Sequence, residues 1–129
     1  MEHFRPRVLV VEDEPLVREM IVEALSEQGF EVYAAATAAE AMAQLLHGKC
    51  CDVMFTDINL GFGDDGVALS RAARELHPEL PVIYASGTIG GLRQLNAVEG
   101  ASFVRKPYDV AAVGALIRAA AAARTLAPA

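Results

Sequence analysis

The stretch Asp52-Val53-Met54-Phe55-Thr56-Asp57 decides how the rest of the chain is read. It is a short, continuous apolar run that stops abruptly on a carboxylate. An earlier run, Val8-Leu9-Val10-Val11, stops the same way, on Glu12-Asp13-Glu14. Burying a carboxylate is costly unless it is paired or binds a metal, so apolar strands rarely end in acids by chance. Two such strands lying side by side gather Glu12, Asp13 and Asp57 in one pocket, and such a pocket suits a divalent cation.

Working outward, strand patterns and helix patterns alternate along the chain. Strands are expected over Arg7–Val11, Phe30–Ala34, Asp52–Thr56, Pro81–Ser86 and Ser102–Arg105. The first and third are continuous apolar runs rather than alternating ones, as expected of parallel strands covered on both faces. Between the strands, apolar residues recur at helical spacing. The stripes are Val17, Met20, Ile21, Ala24 and Leu25; then Ala41, Met42, Leu45 and Leu46; then Leu69, Ala72, Ala73 and Leu76; and finally Val110, Val113, Leu116, Ile117 and Ala120. Gly29 and Gly48 stop the first two, Thr37-Ala-Ala-Glu40 has the form of a capping box, and Asp109 is placed to cap the last. A further helix near Leu92, Leu95 and Val98 is expected to be short or mobile. Gly90-Gly91 sits at its start, and an interior glycine costs about 0.5–1 kcal/mol relative to alanine. Five βα units in series predict a single α/β domain with a doubly wound parallel sheet and helices on both faces.

Composition sets the outer limits. At 129 residues the chain has room for one domain, residues 1–129 with a core over about 7–124. A net charge of −6 argues against direct nucleic-acid binding, which needs a basic face. No apolar run approaches the roughly 20 residues of a membrane span, and the N-terminus lacks a signal-peptide layout, so a cytoplasmic location is expected. Adjacent Cys50 and Cys51 have the wrong spacing for a zinc knuckle or a redox pair, and read as core or near-core thiols. His3, His47 and His77 share no ligand spacing.

In open α/β sheets, ligands bind at the carboxyl ends of the strands, where strand order reverses. Glu12, Asp13 and Asp57 all stand at such ends, as do Ser86 after the fourth strand and Lys106 just past the fifth. Lysine is scarce here, Lys49 and Lys106 alone, which sharpens interest in a Lys106-Pro107 beside an acidic pocket.

The acidic pair Glu12-Asp13, the lone Asp57, the hydroxyl of Ser86 and Lys106-Pro107, in this order on a five-fold βα pattern, resemble the receiver domain of two-component response regulators. The resemblance runs from about Val8 to about Arg124. It implies a flavodoxin-like strand order 2-1-3-4-5, with Asp57 as phosphoryl acceptor and Mg²⁺ as cofactor. By the same resemblance, Asp13, Asp57 and the backbone carbonyl of Asn59 ligate the metal, and Glu12 acts mainly through a metal-bound water. Lys106 would supply a fixed positive charge to Asp57 and then to the phosphoryl group, held inward by a cis Lys106–Pro107 bond. Ser86 and Phe103 would form the switch: the hydroxyl moves to the phosphoryl group, and the aromatic ring swings into the space it leaves. A permanently packed Phe103 is the alternative, since strand aromatics usually serve packing. Tyr108 could face a partner. Gly61-Phe-Gly-Asp-Asp-Gly66 fits no phosphate-binding fingerprint and reads as a flexible loop in which Asp64 or Asp65 caps a helix.

The implied function is a switching module rather than an enzyme, one that catalyses only its own phosphorylation and dephosphorylation. Its donor would be a sensor histidine kinase or a histidine phosphotransfer protein, and its output a downstream protein target. Homodimerisation would use the face built from the fourth helix, fifth strand and fifth helix. Only Thr125-Leu-Ala-Pro-Ala129 follows Arg124, so a stand-alone receiver or a piece of a hybrid kinase is expected. A Mg²⁺-dependent phosphohydrolase is the rival class. Such enzymes carry a second aspartate two residues after the nucleophile, where this chain has Asn59. A phosphate-independent adaptor is a third reading, disfavoured by the intact Asp13, Asp57, Ser86 and Lys106.

Overall fold

The computed structural model describes residues 5–48, 51–61, 64–87 and 96–126. In chain order it contains β1 (Arg7–Val11), α1 (Pro15–Glu27), β2 (Glu31–Ala35), α2 (Ala38–Leu46), β3 (Val53–Asp57), β4 (Asn59–Gly61), β5 (Asp64–Asp65), α3 (Gly66–Leu76), β6 (Val82–Ser86), β7 (Ser102–Arg105) and α4 (Val110–Leu126). Five strands form one parallel sheet in the order β2-β1-β3-β6-β7. With the short β4–β5 hairpin set aside, this is the expected order 2-1-3-4-5. The stretch from Gly90, predicted to begin a further helix, lies largely outside the described residues.

Successive residues of each central strand point to opposite faces, and both faces are covered. Leu9, Val11, Met54 and Tyr84 pack with Ala41 and Leu45 of α2 and with Leu69 and Ala73 of α3. Val8, Val10, Val53, Phe55 and Ile83 pack on the other face with Ile21 and Leu25 of α1 and with Val113 and Ile117 of α4. Each Val, Leu, Ile, Phe or Met side chain among them contributes about 1.5–3 kcal/mol by leaving water. The buried arcs are narrower than the predicted stripes. Met20 is 58% exposed, Leu46 67% and Leu76 40%, because each helix touches the sheet along one line of residues. Conversely, Val67 and Ser70 of α3 are buried although the stripe omitted them.

The predicted caps form. Thr37 Oγ1 accepts the Glu40 N–H at 3.1 Å, Asp65 Oδ1 that of Val67 at 2.8 Å, and Asp109 Oδ1 that of Ala111 at 3.0 Å. Two expectations need correction. Within residues 61–66, expected to be a flexible loop, Gly61, Asp64 and Asp65 lie in paired antiparallel strands, Asn59 opposite Asp65 and Gly61 opposite Asp64. Asp64 Oδ2 accepts the Ala38 N–H at 3.1 Å, tying the hairpin to the start of α2. Cys51 is buried as expected, but it is disulfide-bonded rather than a thiol.

Candidate functional site

The register of the sheet builds the site. Val11 pairs with Thr56, so the chain leaves β1 through Glu12 and Asp13 beside the end of β3, where Asp57 stands. Strand order reverses here, because the chain runs outward from β1 to β2 and returns across β1 to β3. Carboxylate oxygens of Glu12, Asp13 and Asp57 lie within 4.8 Å of one another. Asp57 is 6% exposed and Glu12 4%.

Lys106 answers part of this charge. Its Nζ lies 2.7 Å from both oxygens of Asp57, an ion pair that is far less solvated on the aspartate side than on the lysine side. The lysine is placed by its own backbone, whose N–H donates to the Ser86 carbonyl at 2.9 Å, and the Lys106–Pro107 peptide is cis. Ser86 ends β6, half-buried and paired with Arg105. Its strand is in register with β3, with Ala85 opposite Asp57, so Ser86 falls at the rim of the same pocket.

Burial pushes the Glu12 carboxyl up to about 7, helped by the negative charge of Asp57 and opposed by the Glu14 N–H that Glu12 Oε2 accepts at 3.1 Å. Burial likewise raises the Tyr108 hydroxyl to about 12, with Glu12 and Asp57 adding to the effect. Tyr108 is half-buried, edge-on to Phe55 at 5.6 Å, so it is a packed wall of the site rather than a free aromatic.

Two glycines allow the backbone to close around the acids. A Cβ on Gly61 would sit 2.8 Å from Asp13 Oδ2, and one on Gly66 would overlap the Asp57 carbonyl at 2.0 Å. Asn59 is exposed and begins β4, and its side chain accepts the Gly61 N–H at 3.2 Å. Phe103 is half-buried on β7 and stacks on Tyr84. Sequence reasoning missed Tyr84, Thr56 and Arg18. Thr56 Oγ1 donates to the Asp57 carbonyl at 2.9 Å, and Arg18 Nη1 to the Glu12 carbonyl at 2.9 Å. A strand tyrosine, a strand threonine and a helix arginine carry no pattern that separates them from packing or solvated surface.

Three oxygen-ligand acids with one lysine in contact retain negative charge that a hard divalent cation would neutralise, and an all-oxygen donor set is the kind Mg²⁺ prefers. The residues present therefore fit such an ion.

Comparison with known proteins identifies the family. A family model described as the response regulator receiver domain matches residues 8–118. The transcriptional regulatory protein AruR of Pseudomonas aeruginosa is 34% identical over 110 residues, 81% of this chain and 44% of that protein. The sensor kinase CckA of Brucella abortus is 34% identical over 106 residues, 80% of this chain and 11% of that protein. The chain thus spans less than half the length of either curated relative. Among solved structures, a response regulator receiver protein from Sinorhizobium medicae superposes with a TM-score of 0.85 at 28% identity, covering 93% of this chain and 97% of that one. NtrX from Brucella abortus gives 0.84 at 30% identity, covering 95% of this chain and 28% of that one. The chain belongs to the response regulator receiver domain family. Among the described residues, no helix is long and apolar enough to cross a membrane.

Proposed function

We propose that this domain takes a phosphoryl group from a phosphohistidine donor onto Asp57 and thereby shifts its partner-binding surface. The observation that carries this reading is the Asp57 carboxylate, buried at a strand end, ion-paired to Lys106 and flanked by two more acids. A carboxylate oxygen of Asp57 attacks the donor phosphorus, the O–P bond forms, and the N–P bond breaks with its electron pair left on the histidine nitrogen. Such transfer depends on positioning and on neutralising the equatorial oxygens. Lys106 holds Asp57 in place and then offers its charge to the phosphoryl group. Asp13 and Asp57, with the Asn59 carbonyl, would hold Mg²⁺, and Glu12 would act through a metal-bound water. When bound, the ion supplies further neutralisation of phosphoryl charge. Ser86 and Phe103 relay the change to the surface. The domain is a signalling module of the cytoplasm, served by a sensor histidine kinase or a histidine phosphotransfer protein. A downstream protein target reads its state, and homodimerisation would use the β7–α4 side.

The test is incubation with Mg²⁺ and a small phosphodonor, followed by intact mass. A gain of one phosphoryl group, absent in Asp57→Asn, is expected. Absence of any adduct at saturating Mg²⁺ would reject the reading, and rapid multiple turnover of the donor would favour the phosphohydrolase.

A further inference from the structure

The turn between β1 and α1 carries two of the three acids, yet it has few ties of its own. Glu14, at the helix N-cap, makes no side-chain cap bond, and Pro15 has no N–H to donate. What holds the turn is Glu12, whose polar groups are each engaged. Its N–H donates to the Ala35 carbonyl at 3.1 Å, and its Oε2 accepts the Glu14 N–H. Its carbonyl accepts from Arg18 Nη1 at 2.9 Å.

That last bond is the informative one. Arg18 lies on the first turn of α1 and reaches back six residues to the peptide that joins Glu12 to Asp13. Among the described residues its guanidinium forms no ion pair with a carboxylate. A half-buried guanidinium bonded to a backbone carbonyl, with no carboxylate paired to it, fixes a peptide plane. The plane it fixes sets the direction in which the Asp13 side chain leaves the backbone. We infer that Arg18 is a positioning residue for the acid pair, orienting the Glu12–Asp13 peptide so that the carboxylate of Asp13 points at a bound divalent cation. This rests on the Mg²⁺-dependent reading above and adds to it a residue outside the acid, hydroxyl and lysine set.

Charge and geometry predict opposite signs, and this makes the inference testable. Removing a cation bonded to the Glu12 carbonyl makes the surroundings of the acid pair more negative, so on electrostatics alone Arg18→Ala should bind Mg²⁺ more tightly. Loss of a group that orients a metal ligand should weaken binding, by roughly tenfold at the lower end of such effects. The experiment is calorimetric titration of wild-type, Arg18→Ala and Arg18→Lys proteins with Mg²⁺ alone, with thermal unfolding in parallel. Alanine is a good helix former, so Arg18→Ala is expected to fold. Arg18→Ala should bind Mg²⁺ about tenfold more weakly, and Arg18→Lys, which keeps a donor of similar reach, should recover most of the loss. Unchanged or tighter binding by Arg18→Ala, with the wild type binding normally, would overturn the positioning role and leave the functional reading standing. Equal weakening in both variants would also overturn the carbonyl-donor role. A wild type that binds no Mg²⁺ would overturn both.

Discussion

Tyr84 and Phe103 lie opposite each other on neighbouring strands, their rings stacked at 5.2 Å and inclined by 30°. Tyr84 is fully buried, yet its hydroxyl is well served. It accepts the Val98 N–H at 3.2 Å and shares a short hydrogen bond with Ser70 Oγ, which in turn donates to the Val67 carbonyl at 2.8 Å. The aromatic side chain proposed to switch therefore rests on a ring anchored to α3 and to the segment leading into β7. Phe103 has no hydroxyl of its own, and the anchoring hydroxyl belongs to its neighbour.

Tyr84→Phe keeps the stacked ring and removes the anchor, leaving the Val98 N–H and the Ser70 hydroxyl short of a partner. A buried group left unsatisfied costs about 1–3 kcal/mol. Urea unfolding should show a lower midpoint with an unchanged slope. A loss below about 0.5 kcal/mol would mean that the relay is replaced at no cost.

Gly61 approaches Asp13 with a φ of +76°, a backbone region that side chains rarely adopt. Gly61→Ala should lose more than about 0.5 kcal/mol of stability, because alanine is strained at positive φ. The new methyl, 2.8 Å from Asp13 Oδ2, should also push that carboxylate aside. Mg²⁺ titration should then show weaker binding, whereas Gly100→Ala, with a φ of +76° but open space around it, should lose stability alone.

Asp13 sits beside two other acids and, among the described residues, has no ion-pair partner, since Lys106 pairs with Asp57. Asp13→Asn should therefore stabilise the metal-free protein by about 0.5–2 kcal/mol, the range usual when a functionally strained site is relaxed. The same substitution should abolish the rise in melting temperature that Mg²⁺ gives the wild type. A less stable metal-free Asp13→Asn protein would show that the acids do not repel one another appreciably.

The raised Glu12 carboxyl makes stability depend on pH. Its ordinary value of 4.5 moves to about 7 on folding, so between these values the folded state binds the extra proton. Stability without metal should then be greatest at the acid end, fall as pH rises from about 4.5 to about 7, and level off above. Mg²⁺ acts in the other direction, favouring the ionised carboxyl, so its affinity should rise through pH 7. Thermal unfolding across pH with and without Mg²⁺ measures both trends, and Glu12→Gln should flatten them.

Much of the site was legible because burying charge is costly. Acids at the ends of apolar runs announced the pocket, and a lysine before a proline at the end of the last strand announced its counter-charge. The strand and helix order was readable from periodicity, and the helix caps from local hydrogen-bonding chemistry, since both depend on residues a few positions apart. The exposed Met20 and Leu46 show the limit of that reading. Periodicity marks an apolar arc, while the neighbouring element determines how much of it is covered.

The order of βα units and the placing of Glu12, Asp13, Asp57, Ser86 and Lys106 at or just past strand ends were written in the chain, because strand termini are properties of short segments. Three features instead required the folded chain. They are the hairpin that seats Gly61 against Asp13, the Arg18 bond to the Glu12 carbonyl and the Tyr84 relay from Ser70 to Val98. Each sets a polar group or a bare Cα against a partner whose position depends on sheet register and helix docking. Residue type alone does not encode such distances.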